Sequence, residues 1–190
     1  MMKTYTIATL KEKDILNLLS LQKENLKLNL DAETIESQGF VSFVYSPDDI
    51  KGMMRDEPQI IAMDADEIVG YALTASLQYA QTVELLRPLV EKSRTLTVHD
   101  IPLSHLRYYI MGQVCVKAGY RGIGIFDALY QGHKEHLSDK YDGVITEIAT
   151  ENKRSLAAHR RVGFKTIHEY YDEVSDKNWE IVFWKFKNVI

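Results

Sequence analysis

Residues 119–126, Gly-Tyr-Arg-Gly-Ile-Gly-Ile-Phe, place three glycines and an arginine between a strand pattern over 108–116 and a helical pattern. No Ser, Thr, Asp or Asn precedes that helical pattern, so no side chain stands ready to cap its first N–H groups. Bare amides at a helix start and glycines that admit a ligand to the backbone suit an anion such as pyrophosphate, and Arg121 adds positive charge. The same glycines would also serve a plain tight connection, where they supply positive φ and close packing. Two other phosphate signatures are excluded. No Gly-Lys-Ser/Thr follows, and Asp127 stands where Gly-x-Gly-x-x-Gly needs its third small residue.

A second constellation lies in 151–164, Glu-Asn-Lys-Arg-Ser-Leu-Ala-Ala-His-Arg-Arg-Val-Gly-Phe. Asn152, Ser155 and His159 are spaced i, i+3, i+7 and share one helical face. That face begins where a strand pattern over 142–150 ends, the usual place for a site in an open α/β sheet.

The elements that must position these residues can be read along the chain. Residues 3–10 alternate as a strand, and Ile15, Leu18, Leu19 and Leu26 mark one helix face. Ser46, Pro47, Asp48 and Asp49 start a second helix with a cap, a first-turn proline and acidic residues at the positive end. Residues 59–77 read as two strands joined by a polar turn at 64–67. Residues 81–100 look like a helical insertion broken near Pro88 and ending in a loop. After the strand at 106–116 and the glycine turn, Phe126, Leu129, Tyr130, His133 and Leu137 recur at helical spacing. A strand over 142–150, a short helix ending at Gly163 and two closing strands complete the order. This is a mixed α/β sheet with helices on its faces, in one domain spanning 1–190 without a linker.

Bulk properties narrow the function. The 190 residues carry a net charge of −4, without the basic excess of a nucleic-acid binder. Cys115 is the single cysteine, which forbids an internal disulfide and fits a reducing compartment. The N-terminus lacks the apolar segment of a signal peptide and no apolar run reaches membrane-spanning length, so a cytoplasmic protein without a membrane partner is expected. His133 and His136 lie at i, i+3 rather than i, i+4, and no metal is expected. Strand alternation turns Cys115 away from its neighbours Val114 and Val116, into the core.

The two motifs together, Val116-x-x-x-Tyr-Arg-Gly-Ile-Gly-Ile125 and Glu151-Asn-x-x-Ser-x-x-x-His-x-x-x-Gly-Phe164, resemble those of the GCN5-related N-acetyltransferase (GNAT) superfamily, and the element order agrees over nearly the whole chain. The resemblance implies a mostly antiparallel sheet of about six to seven strands, with one strand pair splayed at the cofactor site. It makes 81–105 a longer insertion than a minimal member carries. It implies acetyl-CoA as co-substrate, with its pyrophosphate on the loop Arg121, Gly122, Ile123, Gly124, Ile125 and Phe126; Phe126 stands where the family has Gly or Ala. Backbone groups of Val114 and Val116 would hold the thioester and pantetheine, with Val114 N–H as oxyanion donor. Asn152, Ser155 and His159 would adjoin the cofactor, and His159 occupies the place of the family's tyrosine acid.

An amine of lysine type, with pKa near ~10.4, needs a base or a desolvating site to free its lone pair. Glu147 is the candidate base, directly or through water, or else a structural ion pair. Gln113 would orient the acceptor or hydrogen-bond across the sheet. The acceptor pocket is expected between the first two helices and the last strands, with Phe40, Tyr45 and Tyr79 as its candidates. The expected function is acetyl transfer from acetyl-CoA to a primary amine of a small molecule, peptide or protein. The alternative is a non-catalytic acyl-CoA-binding module of the same fold. Dimers are common in that family and the insertion could support a homodimer, though no heptad or long apolar edge encodes one.

Overall fold

The structure, a computed structural model, describes residues 3–186. One sheet dominates it. Strands β1 (Thr6–Thr9), β2 (Ile60–Asp64), β3 (Glu67–Ala75), β6 (Tyr108–Val116), β7 (Gly143–Ala149), β8 (Lys165–Asp172) and β9 (Lys177–Lys185) line up in the order β1-β2-β3-β6-β7-β9-β8. Every neighbouring pair is antiparallel except β6 and β7. The remaining two strands, β4 (Thr97–Val98) and β5 (Ile101–Pro102), form a separate small hairpin. Alternation along the strands divides the core between the two faces. Tyr71, Leu73 and Ile110 pack with helices α1 (Ile15–Glu24) and α3 (Pro47–Asp56) on one face. Ala72, Tyr109 and Met111 pack with α6 (Ile125–Leu137) and α7 (Lys153–Val162) on the other. Among the described residues no helix is long and apolar enough to cross a membrane.

Three local features differ from expectation. The first helix ends at Glu24, and Leu26 lies beyond it, in a bridge to Val41. A further helix, α2 (Ala32–Gln38), follows; Asp31 caps it by accepting from Thr34 N at 2.7 Å, and none of its residues is buried. Within the insertion, α4 (Leu77–Ala80) precedes α5 (Arg87–Ser93), where Pro88 sits in the first turn. That proline starts the helix instead of breaking it, because a first-turn residue has no intrahelical acceptor to lose. The small hairpin stands where a loop was expected.

The start of α3 follows its sequence. Ser46 Oγ accepts from Asp49 N at 3.1 Å while the Asp49 carboxylate accepts from Ser46 N at 2.9 Å, a reciprocal cap. The position of α6 depends on Gly70 in β3. A Cβ there would stand 2.9 Å from Ile125 Cγ2, so only glycine admits the first turn of α6 this close to the sheet. Ile125 and Leu129, both buried, then anchor the helix, each contributing about 1.5–3 kcal/mol.

Candidate functional site

The parallel pair opens within its own length. β6 and β7 are paired only from Tyr108–Ile110 against Gly143–Ile145, although both strands run on. Beyond that point Thr146 Oγ1 donates to Met111 O at 3.2 Å, and the strands part. A register shift between Leu73 and Thr74 leaves Gly112 as an extra residue in β6 at the place of divergence. Tyr45 holds this bulge, its buried hydroxyl donating to Gly112 O at 3.1 Å. Lys117 N donates to Val69 O at 2.9 Å, so alternation turns the backbone of Cys115 and Gln113 toward β3 and that of Val114 and Val116 into the gap.

Two clefts meet at this gap. The first, about 380 Å³, runs along the glycine loop and the start of α6. The second, about 810 Å³, lies between β6, β7, β8 and the insertion. Phe40, Val41, Val114, Asn152 and Ser155 line both, so Val114 stands at their junction.

The first cleft carries the donors expected of an anion site. Gly122 and Gly124 adopt φ of 80° and 91°, a left-handed conformation that L side chains rarely adopt. Gly124 is the N-cap of α6 and supplies no side chain. No group among the described residues accepts a hydrogen bond from the amides of Gly122, Ile123, Gly124, Ile125, Phe126 or Asp127, while Ala128 N is the first to be satisfied, by Gly124 O at 3.0 Å. Arg121 does not extend into solvent. Its guanidinium donates to Val116 O at 2.9 Å, Asn25 Oδ1 at 2.5 Å and Gln38 Oε1 at 3.3 Å, all neutral acceptors. Burial lowers its pKa from the usual arginine value, and no carboxylate among the described residues pairs with it. A half-buried cation without an anion beside a row of free amides is a fit for a pyrophosphate. Phe126, at the family's Gly/Ala position, leaves the amides open by turning its ring onto His159, at 5.1 Å.

The second motif forms the wall opposite. Asn152 caps α7, its Oδ1 accepting from Ser155 N at 3.2 Å, while its Nδ2 donates to Phe40 O at 3.2 Å. It thereby clasps the segment carrying Phe40, which Gly39 bends at φ of 74°. Asn152 is a structural clasp at the cleft junction, and Ser155 presents the polar group there.

His159 departs from its expected role as an acid toward a departing thiolate. It is buried, with Nδ1 2.8 Å from Ser155 O and Nε2 2.7 Å from the Tyr130 hydroxyl. The carbonyl can only accept, so the ring proton sits on Nδ1 and Nε2 accepts from Tyr130. Burial pushes its pKa down to about 4. A neutral imidazole whose one proton, on Nδ1, is donated to a backbone carbonyl has no free proton to pass to a thiolate.

The second cleft holds the titratable pair. Glu147 projects from β7, and Tyr170 of β8 donates to its Oε2 at 2.7 Å. Burial raises the Glu147 pKa above its ordinary range, and the tyrosine's hydrogen bond only partly offsets this. Gln113 also lines this cleft, but both ends of its amide are engaged: Oε1 accepts from Tyr71 at 2.6 Å and Nε2 donates to Phe43 O at 2.9 Å. Of the alternatives for Gln113, the hydrogen bond to neighbouring backbone and side chains is the one present.

Of the residues expected at the acceptor, Phe40 and Gln113 line the second cleft, and Tyr45 and Tyr79 line neither. Tyr45 lies beneath the Gly112 bulge; Tyr79 covers Gly52 and donates to Asp49 O at 3.2 Å. Cys115 is core, its thiol pushed up to about 12 by burial. Spacing gives Tyr130 a place on the α6 face but not its bond to His159, and it does not mark Tyr170 or Lys92 as site residues. Their partners lie on other elements, beyond the reach of a local pattern.

No protein-family model and no curated protein matches the sequence. Solved structures match it over nearly their full length. The ribosomal-protein-S18-alanine N-acetyltransferase from Escherichia coli superposes with a TM-score of 0.64 at 12% identity, over 98% of this chain and 97% of that one. NAA60 from Arabidopsis thaliana, solved with a bisubstrate analogue, gives 0.65 at 13% identity, over 96% and 98%. The protein yncA from Salmonella typhimurium, solved with its cofactor acetyl-CoA, gives 0.62 at 10% identity, over 97% and 95%. The seven-stranded, mostly antiparallel sheet with its flanking helices is the fold of the GNAT acetyltransferases.

Proposed function

From that fold and this site, we propose that residues 1–190 act as one acetyltransferase domain, with 81–105 as an insertion, and that the domain moves an acetyl group from acetyl-CoA to a primary amine of a small molecule or a peptide. The observation that carries the reading is the junction of the two clefts at Val114, between a row of free amides and the half-buried carboxylate of Glu147. Acetyl-CoA supplies the activated acyl group. The loop 122–127 and Arg121 bind its pyrophosphate, and Val114 and Val116 orient the pantetheine from the splayed edge of β6. Val114 N–H donates to the carbonyl oxygen as it gains negative charge.

On the acceptor side, Glu147 takes the ammonium proton, directly or through water. Its raised pKa brings it closer to neutrality, where a base works best. Tyr170 fixes the carboxylate's orientation. The thiolate departs without an acid, since a thiol of pKa near ~8.5 is a competent leaving group. The roles implied for His159 and Asn152 thus reduce to positioning: His159 supports Phe126, and Asn152 holds Phe40 at the junction.

The reading is tested by thermal shift with acetyl-CoA and CoA, with NAD as comparator, followed by thiol release in the presence of alkylamines. Ligand at ~100 Kd stabilises the native state by about 2.7 kcal/mol. Stabilisation by both CoA forms but not NAD, with amine-dependent thiol release, is expected. Binding without release would make the protein the acyl-CoA-binding module instead, and no stabilisation would overturn both.

A further inference from the structure

The acceptor cleft is lined by four carboxylates, Glu84, Glu91, Glu147 and Asp172, and by two cations, Lys92 and Lys177. Lys177 is committed elsewhere, 3.4 Å from Glu151. Lys92, on the helix of the insertion, is different. No ion pair among the described residues includes it. Its Nζ lies over the Tyr170 ring, 4.0 Å from the centroid, and the hydroxyl of that same ring holds Glu147. The charge of Lys92 is also felt by both Glu147 and Asp172.

We propose that the face of Tyr170, flanked by Glu147 and Asp172, is the ammonium cradle of the acceptor, and that Lys92 occupies it as an internal stand-in which an incoming alkylamine displaces. The inference deepens the acyltransfer reading and rests on it for the word acceptor. The binding it describes needs no turnover.

The argument is chemical. An aromatic face bordered by carboxylates attracts cations, and it does so more strongly in a partly desolvated cleft. The group found on that face is a primary ammonium at the end of a flexible alkyl chain, which is the class of acceptor the cradle fits. Because the cradle's hydroxyl holds the candidate base, a displacing ammonium enters beside the carboxylate that must take its proton. Acceptors are therefore primary alkylamines without a carboxylate. A carboxylate-bearing amine would instead treat Lys92 as an anchor, and would face four acidic neighbours in doing so.

The experiment measures equilibrium binding of 1-aminopentane and of 5-aminopentanoate to the wild-type protein and to Lys92→Ala, with acetyl-CoA present and absent. Alanine is a good helix former and Lys92 is half-buried on a helix, so the variant folds. Removing the internal occupant tightens 1-aminopentane by about fivefold, the factor that one displaced cation–π contact corresponds to. Adding Tyr170→Leu to Lys92→Ala reverses the gain. Equal affinity of 1-aminopentane for wild type and Lys92→Ala overturns the proposal. So does a wild-type preference for 5-aminopentanoate that Lys92→Ala abolishes, since Lys92 would then be a carboxylate anchor. Failure of the acyltransfer reading shows separately, as absence of acetyl-CoA binding or of thiol release.

Discussion

Gly124→Ala tests the loop most directly, because structure separates its two possible costs. Gly124 sits at φ 91° and ψ 0°. An alanine Cβ would come 3.4 Å from the Tyr5 hydroxyl, an ordinary contact, so crowding adds almost nothing. What remains is the left-handed backbone, which costs an L residue about 1–2 kcal/mol. If the variant keeps the loop in place, the whole native state bears that cost. At ~2–4 °C per kcal/mol for a chain of this size, the melting temperature falls by roughly 2–8 °C while acetyl-CoA affinity is retained. If the free loop relaxes and acetyl-CoA must restore it, the melting temperature stays and Kd rises by about 5- to 30-fold. Calorimetric melting of the free protein and isothermal titration with acetyl-CoA measure the two parts, and their sum should be about 1–2 kcal/mol in either case. Gly122→Ala is the companion, at φ 80° with nothing within 4 Å of its Cβ. A variant unchanged in both melting and affinity would refute the reasoning, since the left-handed loop would then be dispensable for binding.

Glu147→Gln should lower kcat by about 10²–10⁴, the usual range for a general base, with acetyl-CoA affinity unchanged. The same variant should melt higher at pH 7: with its pKa raised in the native state, Glu147 costs stability as pH climbs above its unfolded value, and glutamine removes that cost. His133 and His159 act in the opposite direction. Burial holds both at about 4, so the unfolded chain binds protons that the native state refuses. Stability should be full above pH ~6.5 and fall by roughly 2 kcal/mol per histidine by pH 5, as urea denaturation at several pH values would measure. Tyr130→Phe leaves buried His159 Nε2 without its donor and should cost about 1–3 kcal/mol, read by the same denaturation at pH 7.

The glycine loop was legible because its residues are ones whose identity restricts the backbone: Gly122 and Gly124 do take positive φ, and α6 does begin without a side-chain cap. The succession of strands along the chain followed from alternation and from short polar turns, whereas their order in the sheet is set by pairings between distant segments. Helix α2 escaped because it buries no residue, and an unburied helix leaves no apolar period. Pro88 misled because the same residue breaks a helix interior and begins a helix, and only the partners of the neighbouring amides distinguish the two. For the site, the sequence makes Tyr45 a candidate acceptor contact through its place after the first helix, yet its hydroxyl lies on Gly112, 67 residues away. His159 lies on the expected helix face, but burial under other elements, which bring Tyr130 to it from 29 residues away, is what holds it neutral. Spacing reports which face a residue occupies, and pKa depends on what the fold brings to that face.

The short pairing of β6 with β7 has a mechanical meaning. Three register pairs join the two halves of the sheet there, whereas seven join β7 to β9. Under tension across the sheet this joint is the tear line, with β1, β2, β3 and β6 on one side and β7, β9 and β8 on the other. A ligand lying in the opening, bound to β6 on one flank and to the α7 wall on the other, would act as a rivet across it. The force needed to part the halves would then rise with ligand occupancy, and each round of product release would return the sheet to its weaker state.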